Sequence, residues 1–147
     1  MTAAPTDRAA GPPGVARIAA AGTAYFALAF VAGFVLGTVR VLAVVPRVGE
    51  RTAELLEAPL MLAVVVTAAR FVVRRFVPDA SRAVRAAVGA LGVTLLLAVE
   101  LTVVLSLRGL SPAEYAASRD PVAGAIYVAL LAAFAAMPAL VRGRPEA

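Results

Sequence analysis

Four long apolar runs decide what this chain can fold into. Ile18–Val39 contains no charged residue, and further runs follow at about 53–75, 80–107 and 121–141. At about 1.5 Å of rise per residue, a helix of about 20 residues crosses a hydrocarbon core of about 30 Å. In lipid every peptide group must find its partner inside the protein, so each run is predicted as a helix. The expected fold class is all-α: a four-helix transmembrane bundle (15–147) with short loops. Its helices are expected at about 15–45, 53–75, 80–107 and 121–141. The composition agrees: 62% of residues are hydrophobic and the mean hydropathy is +0.91, against about 45–50% apolar residues in soluble domains.

What is missing narrows the chemistry. The chain has no cysteine, histidine or lysine, and all 14 basic residues are arginine. Disulfides, thiolate and imidazole metal sites and Schiff-base chemistry are therefore excluded. No cofactor and no metal are expected, and the chain is read as a non-enzyme. The net charge of +5 is read as membrane orientation and headgroup contact rather than nucleic-acid binding. The expected partners are the lipid bilayer and, in addition, a membrane-protein partner or a second copy in a homo-oligomer. The arginine and alanine bias fits a GC-rich bacterial genome, and the expected location is a bacterial inner membrane.

Residues 1–14 hold Pro5, Gly11, Pro12, Pro13 and Gly14 with no apolar periodicity, and are predicted to be a disordered tail. In the first helix Ala29, Gly33 and Gly37 recur every four residues, a stripe that lets a second helix approach closely. Arg40 shares that face, and the helix is expected to stop before Pro46. After a short turn, Thr52 is the expected cap of the second helix, where Glu54 and Glu57 share a face. Pro59 is read as a kink in a helix already under way. Asp79 is the expected cap of the third helix, which brings Gly89, Gly92 and Glu100 near one face. Ser111-Pro112-Ala113-Glu114 has capping-box spacing, with Tyr115 expected at headgroup level and Asp120-Pro121 opening the fourth helix.

Arg40, Glu54, Glu57 and Glu100 form the candidate polar cluster; Ala29, Gly33, Gly37, Gly89 and Gly92 are the candidate packing residues. Arg40, Glu57 and Glu100 fall roughly 9–12 Å inside one membrane boundary at helical rise. A charge at mid-bilayer costs about 2.5–3.5 kcal/mol on insertion scales, so Arg40 is expected to pair with Glu57 or Glu100 in a buried cluster. The functional expectation is a multi-pass membrane protein that packs or interacts without catalysing. The alternative is a small oligomeric transporter or channel subunit that uses Glu100 or Glu57 as a protonatable or ion-binding group.

The segments GFVLGTVRVLAVVPRVGERTAELLEAPLM and SRDPVAGAIY resemble those of small, uncharacterised four-helix bacterial integral membrane proteins. The resemblance covers about Ala24 to Pro138. It implies the four-helix fold and no particular activity.

Arginine distribution sets the expected orientation. Arg8, Arg17, Arg70, Arg74, Arg75, Arg82, Arg85, Arg142 and Arg144 fall on one side; Arg40, Arg47, Arg51, Arg108 and Arg119 fall on the other. The positive-inside rule puts both termini in the cytoplasm. Single cysteines introduced at Ser81 and Ser111 should therefore react with an impermeant maleimide from opposite sides, Ser81→Cys only after the cells are opened. Labelling of both from outside intact cells would contradict the four-helix topology.

Overall fold

The computed structural model describes residues 13–109, 111–118 and 120–143. The predicted disordered tail, apart from Pro13 and Gly14, lies outside the described residues, as do Arg119, Arg144 and the side chains of Arg108 and Tyr115. The described residues contain five helices and no strand. They are α1 (Val15–Val48), α2 (Glu50–Phe76), α3 (Arg82–Arg108), α4 (Pro112–Ala117) and α5 (Pro121–Leu140). Four of them, all but α4, are long and apolar enough to cross a membrane.

Helix α1 runs further than the sequence suggests. Pro46 cannot donate an N–H, and the turn before it is widened into a π turn, Arg40–Val44, in which the Val45 N–H reaches back to the Arg40 carbonyl. With the ladder reset, Pro46 sits in the first turn of a new α segment, Val45–Val48, where a missing N–H goes unnoticed. Only Gly49 separates α1 from α2. Its φ of 80° is open to glycine and strained for most other residues. Helix α2 then begins at Glu50, ahead of Thr52, and Pro59 lies inside it.

The later termini use side-chain caps. Ser81 Oγ, rather than Asp79, accepts the Val84 N–H at 3.3 Å and opens α3. Ser111 and Glu114 make both halves of a capping box, at 2.8 and 3.2 Å. The Ser111 hydroxyl and N–H hold the Glu114 carboxyl below its usual range. Asp120 Oδ1 accepts from the N–H groups of Val122 and Ala123, each at 3.0 Å.

Helix α1 packs on α2 and α3, and α5 packs on the same two, so α1 and α5 face each other across a diagonal. Leu42, Phe71 and Val128 are among the large apolar side chains left exposed, the face a helix presents to lipid. Thr38, Thr67, Thr94 and Thr102 also lie on the surface. Each returns its hydroxyl to the carbonyl four residues earlier, at 2.6–2.8 Å, so these four hydroxyls are satisfied within their own helices.

The tightly packed core fills only the half of the bundle that holds both chain ends. There Val72, Val73, Val77 and Val88 are fully enclosed around Tyr25. Tyr25 stacks on Phe134 with ring centroids 4.3 Å apart. Its hydroxyl donates to the Phe134 carbonyl at 2.9 Å. That carbonyl lies four residues before Pro138, which has no N–H to give it. Glycines bring the backbones together here: a Cβ at Gly89 would lie 1.9 Å from the Ala135 carbonyl oxygen, and one at Gly92 would lie 2.9 Å from Tyr25 Cδ1. Arg85 closes this end by donating from Nη1 to the Val141 carbonyl at 2.6 Å.

Tyr25→Phe should leave the Phe134 carbonyl unsatisfied and cost about 1–3 kcal/mol. Adding Pro138→Ala supplies the missing helical N–H and should recover much of that loss. Thermal unfolding followed by circular dichroism in micelles checks it. A double variant no more stable than Tyr25→Phe would show that the tyrosine acts through ring packing alone.

Candidate functional site

The other half of the bundle is hollow. A cavity of about 480 Å³ lies between the four long helices, and its floor is Phe134 with Val65 and Leu96. Helix α1 contributes Ala29, Phe30, Gly33, Phe34 and Arg40 to its lining, α2 Glu54, Glu57 and Met61, α3 Glu100, and α5 Tyr127. The walls are mainly apolar, and the ionisable groups gather toward the end away from the floor.

Arg40 stands at the start of the π turn, a distortion that recurs at functional sites. Its Nη1 donates to Glu54 Oε1 at 3.2 Å. Its Nε lies 2.6 Å from Glu57 Oε2, with the N–H not aimed at that oxygen, so the second contact is coulombic rather than an aligned hydrogen bond. Both carboxylates come from α2, one turn apart, so the guanidinium ties α1 to α2. Glu100 accepts a hydrogen bond from the Tyr127 hydroxyl, which ties α3 to α5. At the rim, Arg51 Nε approaches Asp120 Oδ1 at 3.8 Å, joining the start of α2 to the cap of α5. Both of those side chains are exposed, and such pairs contribute little.

Two expectations are corrected by this geometry. The cluster is not buried: the side chains of Arg40, Glu54 and Glu57 keep 22, 26 and 18% of their exposure. Among the described residues no charged or polar residue is buried. The cause is the cavity, which these groups line instead of being packed over. The small-residue stripe of α1 also works differently from the close-approach motif its spacing suggests. A Cβ at Gly33 would meet only the flexible Met61 side chain, at 3.6 Å, and one at Gly37 would meet nothing within 4 Å. Gly33 makes room on the cavity wall and Gly37 faces open space; Gly22, Gly89 and Gly92, in the closed half, make contact. Ala29 sits where the two halves meet and is buried.

Tyr127 was not legible as a site residue, although a lone hydroxyl in the uncharged α5 run was a signal, since an enclosed tyrosine OH usually finds a partner. The three glutamates do not converge as ligands: among the described residues, no group of three carboxylates, imidazoles or thiolates could hold a metal ion. The arrangement instead offers apolar walls, aromatic rings and a charged end.

Four apolar helices in one bundle define this chain as a multi-pass membrane protein. Comparison with protein-family models, curated proteins and solved structures returns no match.

Arg40→Leu should lower stability by about 1–3 kcal/mol, between the loss for an exposed pair and that for a fully buried one. A second change, Glu57→Leu, should recover more of the loss than Glu100→Leu, because Glu57 is in contact with Arg40. Denaturation of the single and double variants in one lipid mimetic decides it; equal recovery by both would remove Glu57 as the principal partner.

Proposed function

We propose that this is a non-enzymatic protein of a bacterial inner membrane, similar to small four-helix proteins of that kind, that holds a small amphipathic molecule in its cavity. The arginine distribution supports cytoplasmic termini, which turns the hollow half toward the outer leaflet. The observation that carries the reading is the cavity: apolar along most of its length and charged at one end. Its volume of about 480 Å³ falls within the roughly 300–1,000 Å³ of small-molecule sites. The absence of cysteine, histidine and lysine supports a binding role over catalysis.

A second reading, a subunit of an oligomeric transporter or channel that uses Glu57 or Glu100, is favoured by the position of both glutamates on the cavity lining. In one copy the closed half, with Tyr25 stacked on Phe134, stands across any through-path, so this reading requires a second copy or a membrane-protein partner to complete the path.

Thermal unfolding of the purified chain in lipid nanodiscs, with cationic, neutral and anionic amphiphiles in turn, tests the binding role. A ligand at about 100 times its Kd stabilises by about 2.7 kcal/mol, which reads as a rise in Tm. Gly33→Phe, which places a ring inside the cavity, should reduce that rise. If no amphiphile of any charge raises Tm, or if Gly33→Phe leaves the rise unchanged, the cavity is not a binding site.

A further inference from the structure

The cavity's lining narrows the class of molecule it takes. Among the described residues its charged members are Arg40, Glu54, Glu57 and Glu100: one guanidinium against three carboxylates, a formal surplus of two negative charges. The guanidinium is already engaged by two of those carboxylates, through Nη1 to Glu54 and Nε beside Glu57. An anionic headgroup would have to displace a glutamate from Arg40 and then lie beside the remaining ones. A cationic headgroup need not displace a carboxylate from Arg40 to reach Glu100, which accepts from the Tyr127 hydroxyl, and its charge offsets part of the surplus. The rings along the wall point the same way. Phe30, Phe34, Tyr127 and Phe134 line the cavity, and aromatic faces attract organic cations, most strongly where water is excluded. The apolar remainder of the lining calls for an apolar body on that cation, and a hydrated inorganic ion would leave those walls uncovered.

We propose that the occupant of this cavity is a lipophilic organic monocation, its charge near Glu100 and Glu57 and its apolar body against the rings of α1 and α5. This rests on the binding role proposed above. The site is unlike an anion pocket in one testable respect. Arg40 opposes the ligand, so removing its charge should tighten binding, whereas a residue needed only for folding would weaken binding of either sign of charge.

Tetraphenylphosphonium and tetraphenylborate have nearly the same shape and opposite charge. Binding of each to the full chain in nanodiscs of zwitterionic lipid, by equilibrium dialysis against empty nanodiscs, separates charge from hydrophobicity. The expected result is saturable binding of tetraphenylphosphonium at one per chain and no saturable binding of tetraphenylborate. Glu100→Gln should weaken the phosphonium at least tenfold, with Glu100→Asp keeping most of the affinity, and Arg40→Gln should strengthen it. If Arg40→Gln is poorly folded, the Glu100→Gln and Glu100→Asp pair still decides. Equal saturable binding of both probes, or unchanged phosphonium affinity in Glu100→Gln, would overturn the cation assignment and leave the binding role standing. Saturable binding of tetraphenylborate alone would reverse the assignment. Binding of neither probe would overturn the cation assignment, and the amphiphile series described above then decides separately whether the cavity binds at all.

Discussion

Pro138 has no N–H to give, so the carbonyl of Phe134 is released inside an apolar medium, where an unmade hydrogen bond is costly. Tyr25 meets it from the opposite corner of the bundle, 109 residues away in sequence. Much of the closed half depends on that bond. To reach Phe134 the tyrosine ring must cross the bundle, and Gly92 leaves the space it crosses. Stacking the two rings draws α1 toward α5, and α2 and α3 close around the pair with alanine and valine, whose small side chains permit it. Gly89 lets α3 come within contact of the α5 backbone beside Pro138 itself. The proline that weakens α5 is thus also what fixes α1 against it.

The hollow half follows from the same constraint. Once the helices are pinned at the end that holds the chain termini, what lies between them elsewhere depends on the side chains that point inward. On α1 those positions include Gly33, which fills nothing, and Arg40, which reaches α2 with its guanidinium rather than its backbone. The π turn belongs to the same region: it lets α1 continue past Pro46 as far as Gly49, so α2 starts immediately and returns Glu54 and Glu57 to the level of Arg40. Polar ties between α1 and α2, and between α3 and α5, hold the rim while leaving the interior open.

The four spans, the capping box at Ser111 and Glu114, the cap at Asp120 and the pairing of Arg40 with a nearby glutamate could be read from the chain because each depends on local spacing or on helical period; the choice of Glu57 over Glu100 could not. What could not be read depends on which helices lie opposite each other. A four-residue glycine stripe has the same appearance whether it faces a neighbouring backbone or a void, so Gly33 and Gly37 were indistinguishable from Gly89 and Gly92. The extension of α1 past Pro46 was hidden because a proline ends a helix unless the preceding turn widens, and that adjustment carries no residue signature. Tyr25 and Pro138 could have been linked by asking which carbonyl each interior proline releases and which hydroxyl could reach it. The spacing alone left more than one candidate.

Magnitudes bear on why the cavity matters. A sealed void of about 480 Å³ would cost on the order of 12 kcal/mol at about 24 cal/mol per Å³ of empty core, but this cavity is open: Phe34 on its wall is 69% exposed and Arg40, Glu54 and Glu57 keep 22, 26 and 18% of their side-chain exposure, so surrounding molecules enter it. Each simple filler of that space meets a cost at one end of it. Water suits the charged rim and gains little along walls of leucine, valine and phenylalanine, where it lacks the 2–4 polar contacts an ordered water needs. A lipid acyl chain covers those walls but leaves Glu57 and Glu100 facing hydrocarbon, with the desolvation that ionised groups resist. An amphiphile with an apolar body and a polar head would meet both demands in one molecule, as the proposed binding role requires. Glycine at position 33 leaves this wall of the cavity clear, because a larger side chain there would occupy part of the space.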